Sequence, residues 1–435
     1  MRVLVQIRPN HAAQEGGDTV HAQRTAEQLA ELGVDIEVSG AIAPNLDSYD
    51  LVHLFNTEIV EPTFRHALRA RSCGLPIVLS PVFWRGEPIR DESYALADRE
   101  NLSRREWAMR AIVYGLADVL VPNSQAEADV IGARFSVRSD LVFVARLGVQ
   151  EAFAHGDGER FSRRHGLPRR GFVLCAARIE PRKNQHRLIE ACAEIGLPLV
   201  LAGAVYEDRK VYADECRALA AERRADVHFL PHLTAEELAN AYAAARVHAL
   251  PSLWESVGLS SVEAALAGCA VVSTANCGIH EYLGEGAWYC DPESVPAIRD
   301  AVASAWRSEP GDELRAAAAR SSWSESARAT LAGYEAAMAR SNVDGWPAPV
   351  SPEAYIEHLE ALLQLQLETI ALRDTQYALL RQSADEAIRY AESLEQEQAR
   401  LEQERAHLEQ ERAHLEQEPR SDGTRRGIRA RLRRR

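Results

Sequence analysis

One stretch of the sequence combines a strand end, a turn and a short helix: Leu250-Pro-Ser-Leu-Trp-Glu-Ser-Val-Gly-Leu-Ser-Ser-Val-Glu-Ala-Ala-Leu-Ala-Gly268. Pro251 breaks the preceding apolar run, Ser260 is a good helix N-cap, and the closing glycine is a good helix stop. Two carboxylates flank the turn, Glu255 in the loop and Glu263 in the first helical turn. The stretch therefore predicts a strand–turn–helix unit with two acidic side chains at its turn.

The turn between the two carboxylates has two interpretations. In the first, the amides of Val257, Gly258 and Leu259 point toward a helix N-terminus, where the partial positive charge favours an anion such as phosphate. In the second, Ser260 and Glu263 form a capping box, and Glu263 satisfies only backbone N–H groups. The stretch alone leaves both interpretations open.

Length and composition indicate a globular protein. Its 435 residues are enough for two or three domains, and 46% of them are hydrophobic and 26% charged. No apolar run reaches the roughly 18 residues of a membrane span, and the start, Met1 to Ile7, predicts a strand rather than a signal peptide. The seven cysteines are scattered without a Cys-x-x-Cys pair. We therefore expect a cytoplasmic protein with neither a disulfide framework nor a zinc site.

Charge is distributed unevenly along the chain. The net charge is −14, and residues 420–435, with eight Arg and one Asp, carry +7; residues 1–419 therefore carry −21. Such an acidic body argues against general binding of nucleic acid. The basic tail could bind an anionic membrane surface, where each basic residue contributes about 1 kcal/mol, or it could be a disordered solubilising tail.

Strand-like and helix-like segments alternate in two series. Residues 1–160 hold the first and residues 161–335 the second, and a segment rich in Gly, Asp, Arg and His around 148–168 is interpreted as their connection. This alternation predicts an α/β protein with two Rossmann-like, doubly wound domains facing a cleft, and ligands bind such sheets at the carboxyl ends of the strands. The predicted strands are Val3–Ile7, Val34–Ser39, Asp50–Asn56, Ile77–Leu79, Ala117–Pro122, Phe172–Ala176, Pro198–Ala202, Val227–Leu230, Val247–Leu250, Ala270–Ser273 and Ala287–Cys290.

The C-terminal part of the chain differs in character. Residues 336–352 are interpreted as a linker, 353–418 as a long helical or coiled-coil extension, and 419–435 as an Arg-rich tail. Leucine recurs every seven residues in the extension, which predicts a coiled coil, but with those leucines at d the a positions hold Gln and Arg. The extension could therefore form homo-oligomers or be a single solvated helix.

Two cations follow the first strand of the second series. Arg178 and Lys183 lie at its carboxyl end and beside a helix N-terminus, where charge and backbone dipole together would hold a phosphate group. The alternative is an Arg and a Lys on a solvated turn. No metal-ligand cluster stands out; if a nucleoside diphosphate is the leaving group, these two cations would have to neutralise it without Mg²⁺. In the first series, Gly16 and Gly17 allow close approach of a ligand or a positive φ, and His53 is expected at the ligand edge of the third strand.

Together these residues resemble family 4 of the retaining GT-B glycosyltransferases. The resemblance covers about residues 1–335. Its most specific part runs from Pro251 to Gly268, because many residue types are fixed there at fixed spacing. The residues that carry it are, in order, Gly16-Gly17, His53, Pro122-Asn-Ser-Gln-Ala-Glu127, Gly148-Val149, Arg178, Lys183, Gly203, and Glu255-x7-Glu263 with Gly268.

The resemblance implies a hexosyltransferase-like enzyme that moves a sugar from a nucleotide-activated donor to a glycan or glycolipid. It implies that Arg178 and Lys183 grip the donor diphosphate and that Glu263 binds the ribose hydroxyls. Glu255 would contact the hydroxyls of the donor sugar, and the amides of residues 257–259 would cap a phosphate. Apart from this donor substrate no cofactor is expected, and no metal.

The first lobe would complete the site on closure, with Gly17 under the donor phosphate and His53 near the reacting sugar. Two positions depart from the family. Ser80-Pro-Val-Phe-Trp84 lacks the histidine that the family often has after the fourth strand, and Cys277-Gly-Ile-His-Glu281 replaces one glycine of a Gly-Gly pair. Family members also often end near a helix that crosses back to the first lobe, and the segment from Trp323 to Ala339 is the candidate for it.

Three functions compete at this point. The first is sugar transfer in cell-surface polysaccharide or glycolipid assembly, in the cytoplasm or at the inner face of the membrane. The second is a non-catalytic GT-B scaffold that recruits partners or membrane through its helical extension. The third is a sugar-nucleotide epimerase, against which the spacing of Glu255 and Glu263 argues. The sequence names neither the sugar, the base, the acceptor nor the linkage.

Overall fold

The computed structural model describes residues 1–9, 16–83, 104–135, 137–275, 278–309 and 311–341. The predicted helical extension, the Arg-rich tail and Cys277 lie outside these residues. Among the described helices, none is both long enough and apolar enough to cross a membrane.

Five parallel strands form the first sheet, in the order β2-β1-β3-β4-β5. Central strands of this sheet are buried along their whole length, which parallel sheets require because helices cover both faces. The strands are β1 Arg2–Gln6, β2 Asp35–Ser39, β3 Leu51–Phe55, β4 Ile77–Ser80 and β5 Val119–Leu120. The helices of this part are α1 Gly17–Glu31, α2 Val60–Ser72, α3 Arg104–Leu116 and α4 Gln125–Phe135.

Six parallel strands form the second sheet, in the order β11-β10-β9-β6-β7-β8. Hydrophobic clusters cover both of its faces. The strands are β6 Val173–Ala176, β7 Leu199–Ala202, β8 Val227–Leu230, β9 Val247–Leu250, β10 Ala270–Thr274 and β11 Trp288–Cys290. The helices that follow or separate them are α5 Gly158–His165, α6 Gln185–Glu194, α7 Lys210–Glu222, α8 Ala235–Ala244, α9 Leu259–Leu266, α10 His280–Leu283, α11 Val295–Arg307, α12 Asp312–Ala319 and α13 Trp323–Ser341. The predicted architecture of two doubly wound domains is confirmed.

The last described helix returns to the first sheet, as expected from the resemblance. α13 packs against α1, β4 and β5, and Tyr334 is fully buried in the core there. Gly333 permits this approach, because a Cβ atom at that position would lie 3.2 Å from Val119 Cγ1. Residues 323–341 therefore pack against the first sheet although they follow the second sheet in sequence.

The segment interpreted as a connection between the domains is partly a packed helix. α5 lies within it, capped by Asp157, whose carboxylate accepts a hydrogen bond of 2.9 Å from Arg160 N. Phe161 of this helix is buried in the second core. Gly156 lets the backbone touch α8, because a Cβ atom there would lie 2.1 Å from Ala239 O. The glycine and aspartate residues of this segment thus serve packing and capping.

Each sheet has one switch point, where successive connections leave in opposite directions. In the first sheet it lies between β1 and β3, and in the second it lies between β6 and β9. Ligands of open α/β sheets bind in the crevice outside the carboxyl ends of the strands at such a point. The loops that follow these four strands are therefore the places where a site should form.

Candidate active site

The switch point of the second sheet brings Lys183 and Glu255 together. The segment that contains Lys183 follows β6, and Glu255 lies in the loop after β9. The two side chains form an ion pair between Nζ and Oε1, and both are largely buried, with exposed fractions of 12% and 8%. Two residues 72 positions apart thus form one charged centre.

The carboxylate of Glu255 is held on three sides. Arg182 Nη1 donates to its Oε2 at 2.9 Å, Ser252 Oγ donates to its Oε1 at 2.8 Å, and Lys183 binds the same Oε1. Burial alone would raise the pKa of this carboxyl. The adjacent Arg182 and Lys183 cations outweigh that effect and hold the pKa at about 2. Glu255 is therefore anionic throughout the physiological pH range.

Arg182 is a member of this cluster that the sequence analysis did not select. Its guanidinium donates to Glu180 at 2.8 Å as well as to Glu255, and it lies 4.7 Å from the centroid of the Trp254 ring. Burial and this neighbouring cation lower the pKa of Lys183. The only signal in the sequence was the Arg-Lys pair itself, which does not reveal that both side chains turn toward the same carboxylate.

Arg178 lies at the more open side of the same cluster. Its side chain is 39% exposed, and its Nη2 is 3.4 Å from Glu180 Oε1. The backbone here is packed tightly, because a Cβ atom at Gly203 would lie 1.9 Å from Ala177 O. Arg178 therefore joins the cluster through Glu180, with its side chain partly accessible to a ligand.

The turn before α9 differs from the predicted capping box. Gly258 is the N-cap residue, with φ of 78°, so α9 starts at Leu259 and Ser260 lies inside the helix. Only a residue without a Cβ atom adopts this left-handed conformation easily. The N-cap therefore lies two residues earlier in the chain than the predicted Ser260. The prediction that Ser260 caps the helix with Glu263 is wrong. Among the described residues, no group accepts from the amides of Val257, Gly258 or Leu259.

Glu263 has a partner other than the backbone. Tyr242 Oη donates to its Oε2 at 3.0 Å. Burial raises the pKa of the Glu263 carboxyl to about 7, and the tyrosine bond opposes that rise only in part. The second carboxylate of the motif is thus poised between its charged and neutral forms near neutral pH, unlike Glu255.

The glycine pair of the first domain lies at the start of α1. Gly16 is extended, with φ of −138°, so it does not use the positive φ that was considered. A Cβ atom at Gly16 would lie 2.7 Å from Asp18 Oδ1, whereas one at Gly17 would meet none of the described residues within 4 Å. Gly16 therefore makes room for the Asp18 carboxylate, and no described residue crowds Gly17 at the helix N-terminus.

Asp18 joins three elements at the switch point of the first sheet. Its Oδ2 accepts from Arg8 Nε at 2.8 Å and from Asn56 Nδ2 at 2.9 Å. Burial would raise its pKa, but the bonds to Arg8 and Asn56 outweigh burial and lower it. Asn56 follows β3 with φ of 75°, a strained conformation of the kind that clusters at functional sites. The sequence analysis missed this cluster, because its members are separated along the chain.

His53 does not lie at the ligand edge. It is in the middle of β3 and is fully buried. Its Nδ1 is 2.7 Å from Tyr334 Oη and its Nε2 is 2.9 Å from Ser80 Oγ, so protein hydroxyls occupy both ring nitrogens. Burial lowers its pKa well below the usual value. The predicted position at a strand end is wrong, and His53 joins β3, β4 and α13.

The carboxyl edges of the two sheets face each other. Tyr282 follows β10 in the second sheet, and its Oη donates to Asn123 O after β5 at 2.7 Å. Tyr282 Oη also accepts a hydrogen bond of 2.8 Å from Leu147 N. Arg178, Lys183, Glu255 and the start of α9 lie at the carboxyl edge of the second sheet, and Gly16 and Gly17 begin the helix that follows β1 of the first sheet. In the described ranges, no group of three or more His, Cys, Asp or Glu side chains suits a metal ion.

Comparison with known proteins shows sequence similarity to a glycosyltransferase family. Residues 157–329 match the family model described as Glycosyl transferases group 1. The D-inositol 3-phosphate glycosyltransferase of Mycolicibacterium smegmatis is 28% identical over 381 residues, which are 74% of this chain and 87% of the relative. The same-named protein of Pseudarthrobacter chlorophenolicus is 27% identical over 388 residues, 75% of this chain and 91% of the relative.

Solved structures share the fold at low sequence identity. Sucrose-phosphate synthase from Thermosynechococcus elongatus aligns with a TM-score of 0.66 and 17% identity, over 78% of this chain and 100% of that one. Anabaena HepE in complex with UDP and glucose aligns with a TM-score of 0.57 and 18% identity, over 79% of this chain and 100% of that one. The chain has the GT-B fold, and the family match and the relatives support a glycosyltransferase of group 1.

Proposed function

We propose that the chain transfers a sugar from a nucleoside diphosphate donor to a hydroxyl group of an acceptor, with retention of anomeric configuration. The observation that carries the proposal is the charged cluster at the β6/β9 switch point, in which Lys183 and Glu255 form a buried pair beside the accessible Arg178. A diphosphate needs two or more cations, and a sugar hydroxyl is well bound by a fixed carboxylate. This cluster supplies both at the position where the fold binds ligands.

Donor binding requires an exchange of partners within the cluster. Lys183 leaves Glu255 and, with Arg178, binds the diphosphate, which the amides of residues 257–259 also approach. Glu255, still held by Arg182 at 2.9 Å, is then available to a hydroxyl of the donor sugar. Glu263 accepts from the ribose hydroxyls.

Transfer then breaks the bond between the anomeric carbon and the diphosphate oxygen, which leaves with the bonding electrons. The cations stabilise the charge that develops on that oxygen. The acceptor oxygen bonds to the anomeric carbon on the same face, and its proton passes to the leaving phosphate. Because the described residues at the cleft offer Gly17 rather than His53 from the first domain, we leave His53 out of this step. Metal independence stays part of the proposal.

For the acceptor we propose a glycan or glycolipid hydroxyl in cell-surface assembly. The names of two relatives add inositol 3-phosphate as a second acceptor to be tested. We also propose a cytoplasmic location, with residues 353–418 and 420–435 available for self-association and for contact with an anionic membrane surface.

The test is a panel of UDP-, GDP- and ADP-sugars in a thermal-shift screen, followed by transfer assays with both acceptor classes. A ligand at 100 times its Kd adds about 2.7 kcal/mol of stability. Lys183→Ala should lose at least about tenfold in donor affinity, since it removes one of two phosphate-binding cations. Lys210→Ala is the matched control, because Lys210 pairs with Glu207 on an exposed surface. A wild-type protein that binds none of these donors would overturn the proposal.

A non-catalytic scaffold remains the second candidate, and one observation favours it. The described residues of the loop after β4, Pro81 to Phe83, include no histidine, and His53 is buried in the core. This candidate would be supported if the protein binds the donor but neither transfers the sugar to any tested acceptor nor hydrolyses the donor.

A further inference from the structure

One acidic side chain of the second domain, called the donor domain below, binds the first domain. Glu281, in α10, accepts from the backbone amides of Gln125 at 2.9 Å and of Ala126 at 2.7 Å. These are the first two residues of α4 in the first domain. The contact joins a carboxylate to two fixed amide dipoles at the positive end of a helix, which is where an anion is bound best.

The cap of α4 is divided between the two domains. Ser124 Oγ accepts from Glu127 N at 3.1 Å, and Ser124 O accepts from Ala128 N at 3.2 Å, so local residues satisfy the third and fourth amides. The first two amides find their acceptor only in Glu281 among the described residues. An uncapped helix end costs stability, because its N–H groups lose an acceptor. The first domain therefore depends on the donor domain to complete this helix.

The segment that contains Glu281 also touches the loop after β9, which contains Glu255 and is called the donor loop below. Gly278 N donates to Ser256 O at 3.1 Å, and Ser256 is the residue after Glu255. Gly278 also lies against the first domain, since a Cβ atom there would be 2.5 Å from Ser124 Oγ. Residues 278–281 thus form a short bridge from the donor loop to the start of α4.

We propose that Glu281 is a positioning residue that sets the distance and orientation between the donor loop and the acceptor-side domain. This rests on the proposed function for its catalytic consequence, but its structural part does not. Glu281 touches neither donor nor acceptor. It acts through α4, and the loss of its two bonds removes one of the contacts that hold the two domains in register.

The test uses Glu281→Ala with Glu285→Ala as the matched control. Glu285 lies four residues further along, is 91% exposed and pairs with His280 at 3.0 Å. Hydrogen exchange followed by mass spectrometry on a peptide that spans residues 123–130 reports the cap directly. We expect the amides of Gln125 and Ala126 to exchange at least about tenfold faster in Glu281→Ala and to stay unchanged in the control, at equal melting temperature. Glu281→Gln keeps one acceptor oxygen and should fall between them.

The catalytic readout separates positioning from binding. Titration with UDP and UDP-glucose should give unchanged affinity in Glu281→Ala, because the charged cluster is intact, while kcat for transfer falls about 10- to 100-fold, as misplacement by about 1 Å can cause. Unchanged exchange at residues 125 and 126 would overturn the inference whatever the activity. Faster exchange in a protein whose wild type binds no nucleotide would overturn the proposed function and leave the cap standing.

Discussion

Replacement of Glu255 by Gln tests the centre of the donor site. The pKa of this carboxyl falls from an ordinary 4.5 to about 2, and each tenfold change in proton affinity corresponds to about 1.4 kcal/mol. The charged form of Glu255 therefore stabilises the folded protein by about 3 kcal/mol at pH 7. Because the folded pKa is lowered, this contribution is complete above pH 4.5 and is lost as the pH falls toward 2.

The substitution should affect the binding of two ligands to different extents. In Glu255→Gln the neutral amide no longer competes for Lys183, so free UDP, which carries no sugar, should bind at least about tenfold more tightly, a gain of about 1.4 kcal/mol. UDP-glucose should gain less or nothing, since it loses the carboxylate partner of its sugar hydroxyl. Transfer should fall by more than about 100-fold if this contact is stronger in the transition state.

The assay compares urea unfolding at pH 7 with calorimetric titration of both ligands. Glu180→Gln is the matched control, because the ion pairs of Glu180 in the described part of the chain are with Arg178 and Arg182 rather than Lys183. The reasoning is refuted if Glu255→Gln weakens UDP and UDP-glucose equally, or if its free energy of unfolding equals that of the wild type.

Four further substitutions test residues at the site and in the core behind it. Gly16→Ala should lower the melting temperature, because its Cβ would lie 2.7 Å from a neighbouring carboxylate oxygen, whereas Gly17→Ala should leave the melting temperature unchanged and weaken donor binding; the reverse order would contradict the assignment of the open side. His53 is neutral when buried, whereas in the unfolded chain its pKa is the ordinary 6.5, so the folded protein should lose about 1.4 kcal/mol of stability as the pH falls from 7.5 to 5.5. In His53→Gln the free energy of unfolding should change less over this pH range, and an equal change would count against a buried neutral imidazole. Tyr242→Phe removes the hydroxyl whose hydrogen bond lowers the pKa of Glu263, so that pKa should rise above its value of about 7. Donor affinity should then rise with pH around a midpoint that lies at higher pH than in the wild type. An unchanged midpoint would show that Glu263 does not bind the ribose.

Local pattern was sufficient for the elements and for half of the site. Strands such as Val227–Leu230 and Val247–Leu250 were predicted residue for residue, because the residues of an apolar run are adjacent in sequence. The start of α9 was not, since the conformation of Gly258 outweighed the good capping chemistry of Ser260. Propensity at a helix end is worth about 1 kcal/mol, which a single left-handed residue can override.

Residues 250–268 illustrate which features follow from local sequence and which require the tertiary structure. The sequence by itself determined that two carboxylates flank a turn after a strand and that cations follow another strand. Only the strand order β9-β6 brought Glu255 onto Lys183, added Arg182 to hold it, and gave Glu263 a tyrosine partner. Only the return of α13 sealed His53, and only the facing sheets let Glu281 cap α4. Sequence spacing fixes which element carries a side chain, but charge pairing and burial depend on distances through space.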